Sequence, residues 1–139
     1  MKIKVIDFGY KNLPLRAHEN DAGADVYACG EGSCWIIAPH ETVKIPLGFG
    51  LKVPDGYMAC VYPRSGLSAK GIVCELPPID SGYRGEVHAI VSNLSNESFM
   101  VNDGDRIGQL VVTPVVIAEY VTEKGKQRGT GAFGSTGVA

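Results

Sequence analysis

The 139-residue sequence predicts an all-β sandwich or barrel formed by a single domain with one short helix. Short apolar and β-branched runs are separated at close spacing by Pro, Gly, Asn and Asp. Hydrophobic residues make up 45% and charged residues 20% of the chain, which is typical of a globular protein with a real core. We assign residues 1–124 to the β domain and residues 125–139, which lack an apolar pattern, to a mobile glycine-rich tail.

Six strands are predicted from runs of about five residues rich in apolar side chains. Two turns between them have a clear chemical basis, because Gly accepts the positive φ that Pro54-Asp55-Gly56 and Asn102-Asp103-Gly104 require. Residues 65–70 predict one or two helical turns, which Gly71 would end. The predicted strands span residues 2–6, 41–46, 57–62, 86–94, 106–112 and 115–121, and Asp25 stands at the start of a further strand.

Composition and charge exclude several classes of function. The net charge of -2 argues against nonspecific binding of DNA, so any phosphate should meet a few placed cations. No run of about 18 apolar residues is present, and we expect no transmembrane helix. The four cysteines form no C-x-x-C pair and the three histidines are scattered, so zinc is not expected. We expect free thiols in a reducing compartment, the cytoplasm or the interior of a host cell if the chain is viral.

The string PRSGL at residues 63–67 stands where a predicted strand gives way to the helix. Backbone N–H groups at a helix start are unpaired and attract anions. Arg64 adds a charge-assisted phosphate contact and Ser65 adds a hydroxyl donor. The alternative is that Ser65 is a simple N-cap and Arg64 is solvated.

The string IDSGYRGE at residues 79–86 lies between two predicted strands. Asp80 is either an Asx-turn residue or a carboxylate that orients and deprotonates water. Tyr83 belongs either to the core or to a sugar-binding surface.

Two further polar residues stand close to predicted strands. Asp25, in the segment AGADV, is either a surface-turn residue or an indirect ligand of a metal ion. Gln109, in GDRIGQL, either reaches a ligand or is solvent-exposed.

The C-terminal string RGTGAFGSTG at residues 128–137 combines phosphate donors with one aromatic ring. Arg128, Ser135 and Thr136 can donate to phosphate oxygens, and glycines such as Gly134 let backbone N–H groups approach closely. Phe133 offers a flat face on which a base can stack. These residues favour a lid over a nucleotide, and the alternative is a disordered glycine-rich terminus. A Walker loop does not fit, because no Gly-Lys-Ser/Thr opens a helix here.

Taken in order, PRSGL, IDSGYRGE, GDRIGQL and RGTGAFGSTG, with the segment around Asp25, resemble the five motifs of the trimeric deoxyuridine triphosphatases (dUTPases). The resemblance spans nearly the whole chain. It implies a jelly-roll β-sandwich, a homotrimer with active sites between subunits, and Mg²⁺-dependent hydrolysis of dUTP to dUMP and pyrophosphate. That reaction keeps uracil out of DNA and supplies dUMP for dTMP synthesis.

The resemblance also implies a role for each motif residue. Asp80 would orient the water that attacks the α-phosphorus, and Tyr83 would pack under the deoxyribose, where a 2′-hydroxyl would clash. Asp25 would bind Mg²⁺ through water. The remaining substrate contacts would be Arg64, Ser65 and Gly66 on the phosphates, Gln109 at the α-phosphate or the water, Arg128 with Gly134, Ser135 and Thr136 at the γ-phosphate, and Phe133 over uracil.

Two features depart from the family pattern. Pro77-Pro78 stand where the family commonly has Gly-Val, which removes two backbone donors from the hairpin of residues 74–80 that is expected to read uracil. Ala132 replaces a frequent Gly in the tail.

Two alternatives to dUTP hydrolysis remain open from the sequence. The related dCTP deaminases have Phe in place of Tyr83 and a catalytic Glu in place of Ile90, and an apolar Ile cannot shuttle protons. Deamination is therefore disfavoured. The other alternative is a protein that binds nucleotide only to control a protein partner.

Overall fold

The computed structural model describes residues 1–128, and in this part of the chain it contains ten strands and one short helix. All strand pairs are antiparallel, which confirms the predicted all-β class and its jelly-roll architecture. The elements are β1 (Lys4–Asp7), β2 (Ala24–Tyr27), β3 (Cys34–Ile37), β4 (Thr42–Pro46), β5 (Phe49–Lys52), β6 (Tyr57–Tyr62), α1 (Ser65–Ser68), β7 (Ile72–Glu75), β8 (His88–Asn93), β9 (Phe99–Asn102) and β10 (Arg106–Pro114).

The strands form two three-stranded sheets, β2-β10-β6 and β4-β8-β7, and two ribbons, β1-β5 and β3-β9. Most neighbours in space are far apart in sequence, as in the pairing of β2 with β10. The inward faces of these sheets share one apolar core. Its largest fully buried side chains include Phe49, Ile37, Ile45, Leu47 and Val26.

Five of the six predicted strands are confirmed, with ends that shift by up to two residues. The strand at residues 57–62 has the predicted bounds. Four strands of four residues, β3, β5, β7 and β9, were not predicted. Such short runs carry little periodicity of their own, and partners distant in sequence determine their pairing.

The prediction of a strand at residues 115–121 is wrong for the described chain. The N–H of Val115 donates to the carbonyl of Gly56 at 2.8 Å, and β10 ends at Pro114. Residues 116–121 then run without a strand neighbour, and the β-branched pattern that suggested a strand stays exposed. A strand needs a partner, and no strand of the described chain pairs with this segment.

The predicted turns are confirmed, because Gly56, Gly71 and Gly104 have φ values of +84°, +85° and +88°. Gly71 follows the short helix, and its N–H donates to the carbonyl of Ser68 at 3.0 Å. The four cysteines carry free thiols. Burial raises the pKa of the Cys74 thiol to about 11. No helix within residues 1–128 is long and apolar enough to cross a membrane.

Candidate active site

Asp80 is attached to the sheet by a short antiparallel bridge between Ala59 of β6 and Ile79. The Ala59 N–H donates to the Ile79 carbonyl at 3.1 Å, and the Ile79 N–H donates back at 2.7 Å. The next turn is closed by the Tyr83 N–H, which donates to the backbone carbonyl of Asp80 at 3.1 Å. The Asp80 carboxylate is exposed and accepts no hydrogen bond from residues 1–128, so the Asx-turn alternative is wrong. The carboxylate is available to a ligand.

Tyr83 lies at the surface, and its ring is held in place. Its hydroxyl donates to the backbone carbonyl of Glu86 at 2.8 Å, and its side chain is 44% exposed. A Cβ atom on Gly85 would stand 2.5 Å from the Tyr83 hydroxyl oxygen, so only Gly at that position lets the ring lie there. The Glu86 carboxylate in turn accepts the Gly48 N–H at 2.9 Å. Gly85 is not among the residues predicted for the site, although the string YRGE contains it.

Asp80 and Tyr83 line a common cavity of about 180 Å³, which we call the Asp80 cavity. Both prolines of the Pro77-Pro78 pair stand in its wall. Its other lining residues are Lys44, Val61, Glu75, Ile79, Glu86, Val87, His88 and Ile90.

Gln109 belongs to a second group of residues, the Gln109 cluster, which also contains Asp25, Arg64 and Ser65. Register places Asp25, Gln109 and Tyr62 side by side on β2, β10 and β6, so their side chains share one face. The Gln109 amide donates to the Pro63 carbonyl at 3.2 Å. A Cβ atom on the buried Gly23 would overlap the Gln109 side chain, so this glycine makes room for it.

Arg64 and Asp25 are connected through Arg106, which is not among the residues predicted for the site. The Arg64 guanidinium donates to the Arg106 carbonyl at 3.1 Å, and the Arg106 guanidinium pairs with an Asp25 carboxylate oxygen at 3.1 Å. The register shift between Arg106 and Gly108 is a β-bulge, a device that redirects side chains near sites. Arg64 keeps most of its five donors available for a ligand.

Ser65 is the first residue of α1, and Arg64 occupies the N-cap position in an extended conformation without a side-chain cap. The interpretation of Ser65 as an N-cap is therefore wrong. Ser65 lines a cavity of about 460 Å³ together with Gln109. Gly66 is exposed beside it, and an added Cβ atom there would meet nothing within 4 Å.

The structure does not bring all the predicted site residues together. The two cavities share no lining residue. Val61 lines the Asp80 cavity and its neighbour Tyr62 lines the other, and successive residues of a strand face opposite sides. Arg128 is exposed at the end of the described chain. Phe133, Gly134, Ser135 and Thr136 lie outside the described residues.

The carboxylates of the described chain suit Mg²⁺ only as indirect ligands. No group of three or more His, Cys, Asp or Glu side chains within residues 1–128 is arranged to hold a metal. One oxygen of Asp25 is paired with Arg106, which leaves the other to accept hydrogen bonds from metal-bound water. This donor set fits an ion whose inner shell consists of substrate phosphates and water, which is the usual preference of Mg²⁺.

Comparison with known proteins agrees with this fold and these motifs. The dUTPase family profile matches residues 9–137. A deoxyuridine 5'-triphosphate nucleotidohydrolase of Desulfotalea psychrophila is 45% identical over 133 residues, which cover 91% of this chain and 88% of that protein.

Two solved structures have the same fold. A mutant of the Staphylococcus bacteriophage 80alpha dUTPase with dUpNHpp has a TM-score of 0.78 at 26% identity, covering 99% of each chain. A mutant dUTPase from phage phi11 of S. aureus, which coordinates a structural Mg(II) ion, has a TM-score of 0.79 at 24% identity over 90% of this chain and 98% of that one.

The fold and its matches define a jelly-roll nucleotide hydrolase. Because the family profile spans most of the chain and the identity to a curated relative reaches 45%, the chain belongs to the dUTPase family. The enzyme is a dUTP diphosphatase, and it hydrolyses dUTP.

Proposed function

We propose that the chain cleaves dUTP to dUMP and pyrophosphate by attack of water on the α-phosphorus, with Asp80 as the general base. The unpaired Asp80 carboxylate beside Tyr83 in one cavity is the observation that carries this proposal. A base must lie within hydrogen-bond reach of the water it deprotonates, and a carboxylate that already accepted protein hydrogen bonds would be a poorer one.

The Gln109 cluster is the proposed phosphate-binding surface. Arg64 and Ser65 donate to phosphate oxygens, and Gln109 orients the α-phosphate or the water. Asp25 would hold Mg²⁺ through water, and the bound ion would supply neutralisation of the charge on the leaving pyrophosphate. The mutant dUTPase from phage phi11, which coordinates a structural Mg(II) ion, shows that this metal binds to a protein of the same fold.

Sugar selection is assigned to Tyr83. Its ring is fixed by the hydrogen bond to the Glu86 carbonyl, so it cannot yield to a larger sugar without losing that bond. A deoxyribose packed against the ring has no 2′-hydroxyl, whereas a ribose would place a polar group against an apolar face. The dUTP analogue dUpNHpp in a relative's structure supports a deoxyuridine nucleotide as the ligand.

The active site is proposed to form between the subunits of a homotrimer. Within one chain, the Asp80 cavity and the cavity beside Gln109 have separate linings, and the successive residues Val61 and Tyr62 place them on opposite faces of β6. A second subunit that turns its Gln109 cluster toward the Asp80 cavity would complete the site. Heterologous contacts of this kind close into rings when the rotation permits.

The exposed segment of residues 116–121, which we call the C-terminal arm, supports this assembly. Val116, Ile117, Tyr120 and Val121 are 90%, 81%, 94% and 82% exposed, an unusual amount of apolar surface for an isolated chain. An arm of this pattern can bury these side chains by adding as a strand to another subunit.

A groove on the same fold can receive the arm. It has a volume of about 510 Å³ and is lined mainly by apolar residues, including Ile3, Val5, Leu51 and Val112. The strand β1 on this groove pairs with β5 alone among the described strands, so its second edge is open. We assign the groove to the arm of a neighbouring subunit, with residues 125–139 continuing from the arm as the lid that brings Arg128, Phe133, Ser135 and Thr136 to the nucleotide.

A product assay tests the proposed reaction. Purified protein with Mg²⁺ is given dUTP, dCTP, dTTP and UTP separately, and pyrophosphate and ammonia are measured. We expect pyrophosphate from dUTP alone. Asp80→Asn should lower kcat by roughly 10²- to 10⁴-fold without loss of the fold, which is the usual contribution of a general base.

The control for this variant is Asp55→Asn, which changes an exposed carboxylate in the turn before β6. It should leave turnover unchanged. Wild-type turnover in Asp80→Asn would contradict the assigned base. Ammonia from dCTP would contradict the diphosphatase reaction, and nucleotide binding without any product would favour a regulatory protein.

A further inference from the structure

The wall of the Asp80 cavity formed by Pro77, Pro78 and Ile79 offers no backbone donor. The two prolines have no N–H, and the Ile79 N–H already donates to the Ala59 carbonyl at 2.7 Å. This stretch therefore presents carbonyl acceptors only. Uracil carries two carbonyl oxygens that need donors, so other groups of the cavity must supply them.

Two charged side chains stand opposite each other on the sheet that forms another wall of the same cavity. Lys44 on β4 and Glu75 on β7 are both register partners of Ile90 on β8, so the three side chains share one face. All three line the cavity. With about 4.8 Å between neighbouring strands, the Cα atoms of Lys44 and Glu75 are roughly 10 Å apart, and a planar ring can lie over Ile90 between the two charges.

The donor and the acceptor of this pair are both available. Lys44 makes no hydrogen bond or ion pair with any residue of the described chain. One oxygen of Glu75 accepts the Ser92 hydroxyl at 3.2 Å, and Ser92 is itself 2.7 Å from the Thr42 hydroxyl oxygen. This chain of hydroxyl groups orients the carboxylate and leaves its second oxygen free to accept.

We propose that Lys44 and Glu75 read the base in this enzyme, with Lys44 donating to the O4 carbonyl of uracil and Glu75 accepting its N3–H. This inference rests on the proposed function of the cavity. Cytosine reverses both groups, since it carries an amino group at position 4 and a lone pair at N3. The amino group would face the Lys44 ammonium and the lone pair would face the carboxylate, and sites built on hydrogen bonds reject such mismatches strongly.

Two variants test the contributions of Glu75 and Lys44 one at a time. Glu75→Gln keeps the size of the side chain but adds an NH₂ group that can donate to N3 of cytosine. We expect it to lower the ratio of kcat/KM for dUTP to that for dCTP by roughly 10- to 100-fold. Lys44→Met keeps the aliphatic stem and removes the donor, so we expect kcat/KM for dUTP to fall about 10-fold. The value for dCTP should not fall, because its amino group no longer faces the ammonium.

The matched controls are Glu41→Gln and Lys52→Met, which make the same charge changes at exposed positions outside the cavity. Thermal melts of all four variants check the fold. Titration of dUMP and dCMP by calorimetry measures the same base preference without turnover, so the inference stays testable if the proposed reaction fails.

The preference for uracil over cytosine is compared between the two variants and their controls. If it stays within about twofold of the controls in both Glu75→Gln and Lys44→Met, this pair does not read the base. If wild-type protein also hydrolyses dUTP, the proposed function survives that result. If wild-type protein binds dUMP over dCMP but hydrolyses neither triphosphate, the proposed reaction fails, and a loss of that preference in the variants still supports the inference.

Discussion

Gly85→Ala should displace the Tyr83 ring while the fold loses little stability. The added Cβ atom would stand 2.5 Å from the Tyr83 hydroxyl oxygen, 2.7 Å from Cζ and 3.0 Å from Cε1. All three contacts are with the far end of one exposed side chain. The ring must therefore move, while the backbone of the turn can remain where it is.

The cost of that movement can be worked from the contacts that are lost. The Tyr83 hydroxyl would give up its 2.8 Å hydrogen bond to the Glu86 carbonyl, which contributes about 1 kcal/mol. For a chain of this size, that corresponds to a fall in Tm of roughly 3–5 °C. Activity should suffer more, because a displacement of about 1 Å in a group that positions substrate costs on the order of 10²-fold.

The assay compares kcat/KM for dUTP and for UTP in Gly85→Ala and in Gly82→Ala. Gly82 lies in the same turn, an added Cβ atom there meets nothing within 4 Å, and its φ is not positive. We expect Gly85→Ala to lose activity on dUTP and part of its preference over UTP with a Tm only about 3–5 °C below wild type, whereas Gly82→Ala should keep the wild-type Tm and kinetics. Equal kinetics in the two variants would refute the argument that Gly85 sets the position of the ring.

Gly23→Ala should displace Gln109 and lower kcat/KM about 10-fold, with Gly82→Ala as the control in open space. If the proposed trimer forms, Ile117→Asp with Tyr120→Asp should convert it to monomers in light scattering, because charges on the C-terminal arm cannot be buried in the groove. A mass unchanged from that of the wild type would contradict arm exchange. Burial raises the pKa of the Cys74 thiol from 9.0 to about 11, so the unfolded chain loses this proton at a lower pH than the folded one. The contribution of this thiol to the free energy of unfolding should therefore be fully present below pH 9.0 and lost as the pH rises toward about 11. Urea titrations of wild type and Cys74→Ala across this range should diverge, and parallel curves would count against the burial of this thiol.

Local chemistry accounts for the parts of the fold that were predicted correctly. The strand at residues 57–62 is bounded by a Pro-Asp-Gly turn and by Pro63, so the adjacent residues determine where it begins and ends. Gly56 and Gly104 have the positive φ that their turns demand. The strings around Asp80 and Gln109 were likewise visible in the sequence, because each one is contiguous.

Pairing between distant segments accounts for the parts that were missed. Phe49–Lys52 contains a glycine and becomes a strand because β1 lies beside it. Residues 115–121 have a stronger strand pattern and form none within the described chain, because no edge of that chain pairs with them. Register and loop closure depend on the whole chain, so local propensity alone cannot predict them.

By itself, the sequence determined the β class, the turns and the chemical groups available for a nucleotide. Only the tertiary structure decided which groups meet. It placed Arg106 between Arg64 and Asp25, and it separated Asp80 from Gln109 by the two faces of β6. Turns follow from local chemistry, whereas the short strands and their neighbours depend on which distant segments bury their apolar faces together.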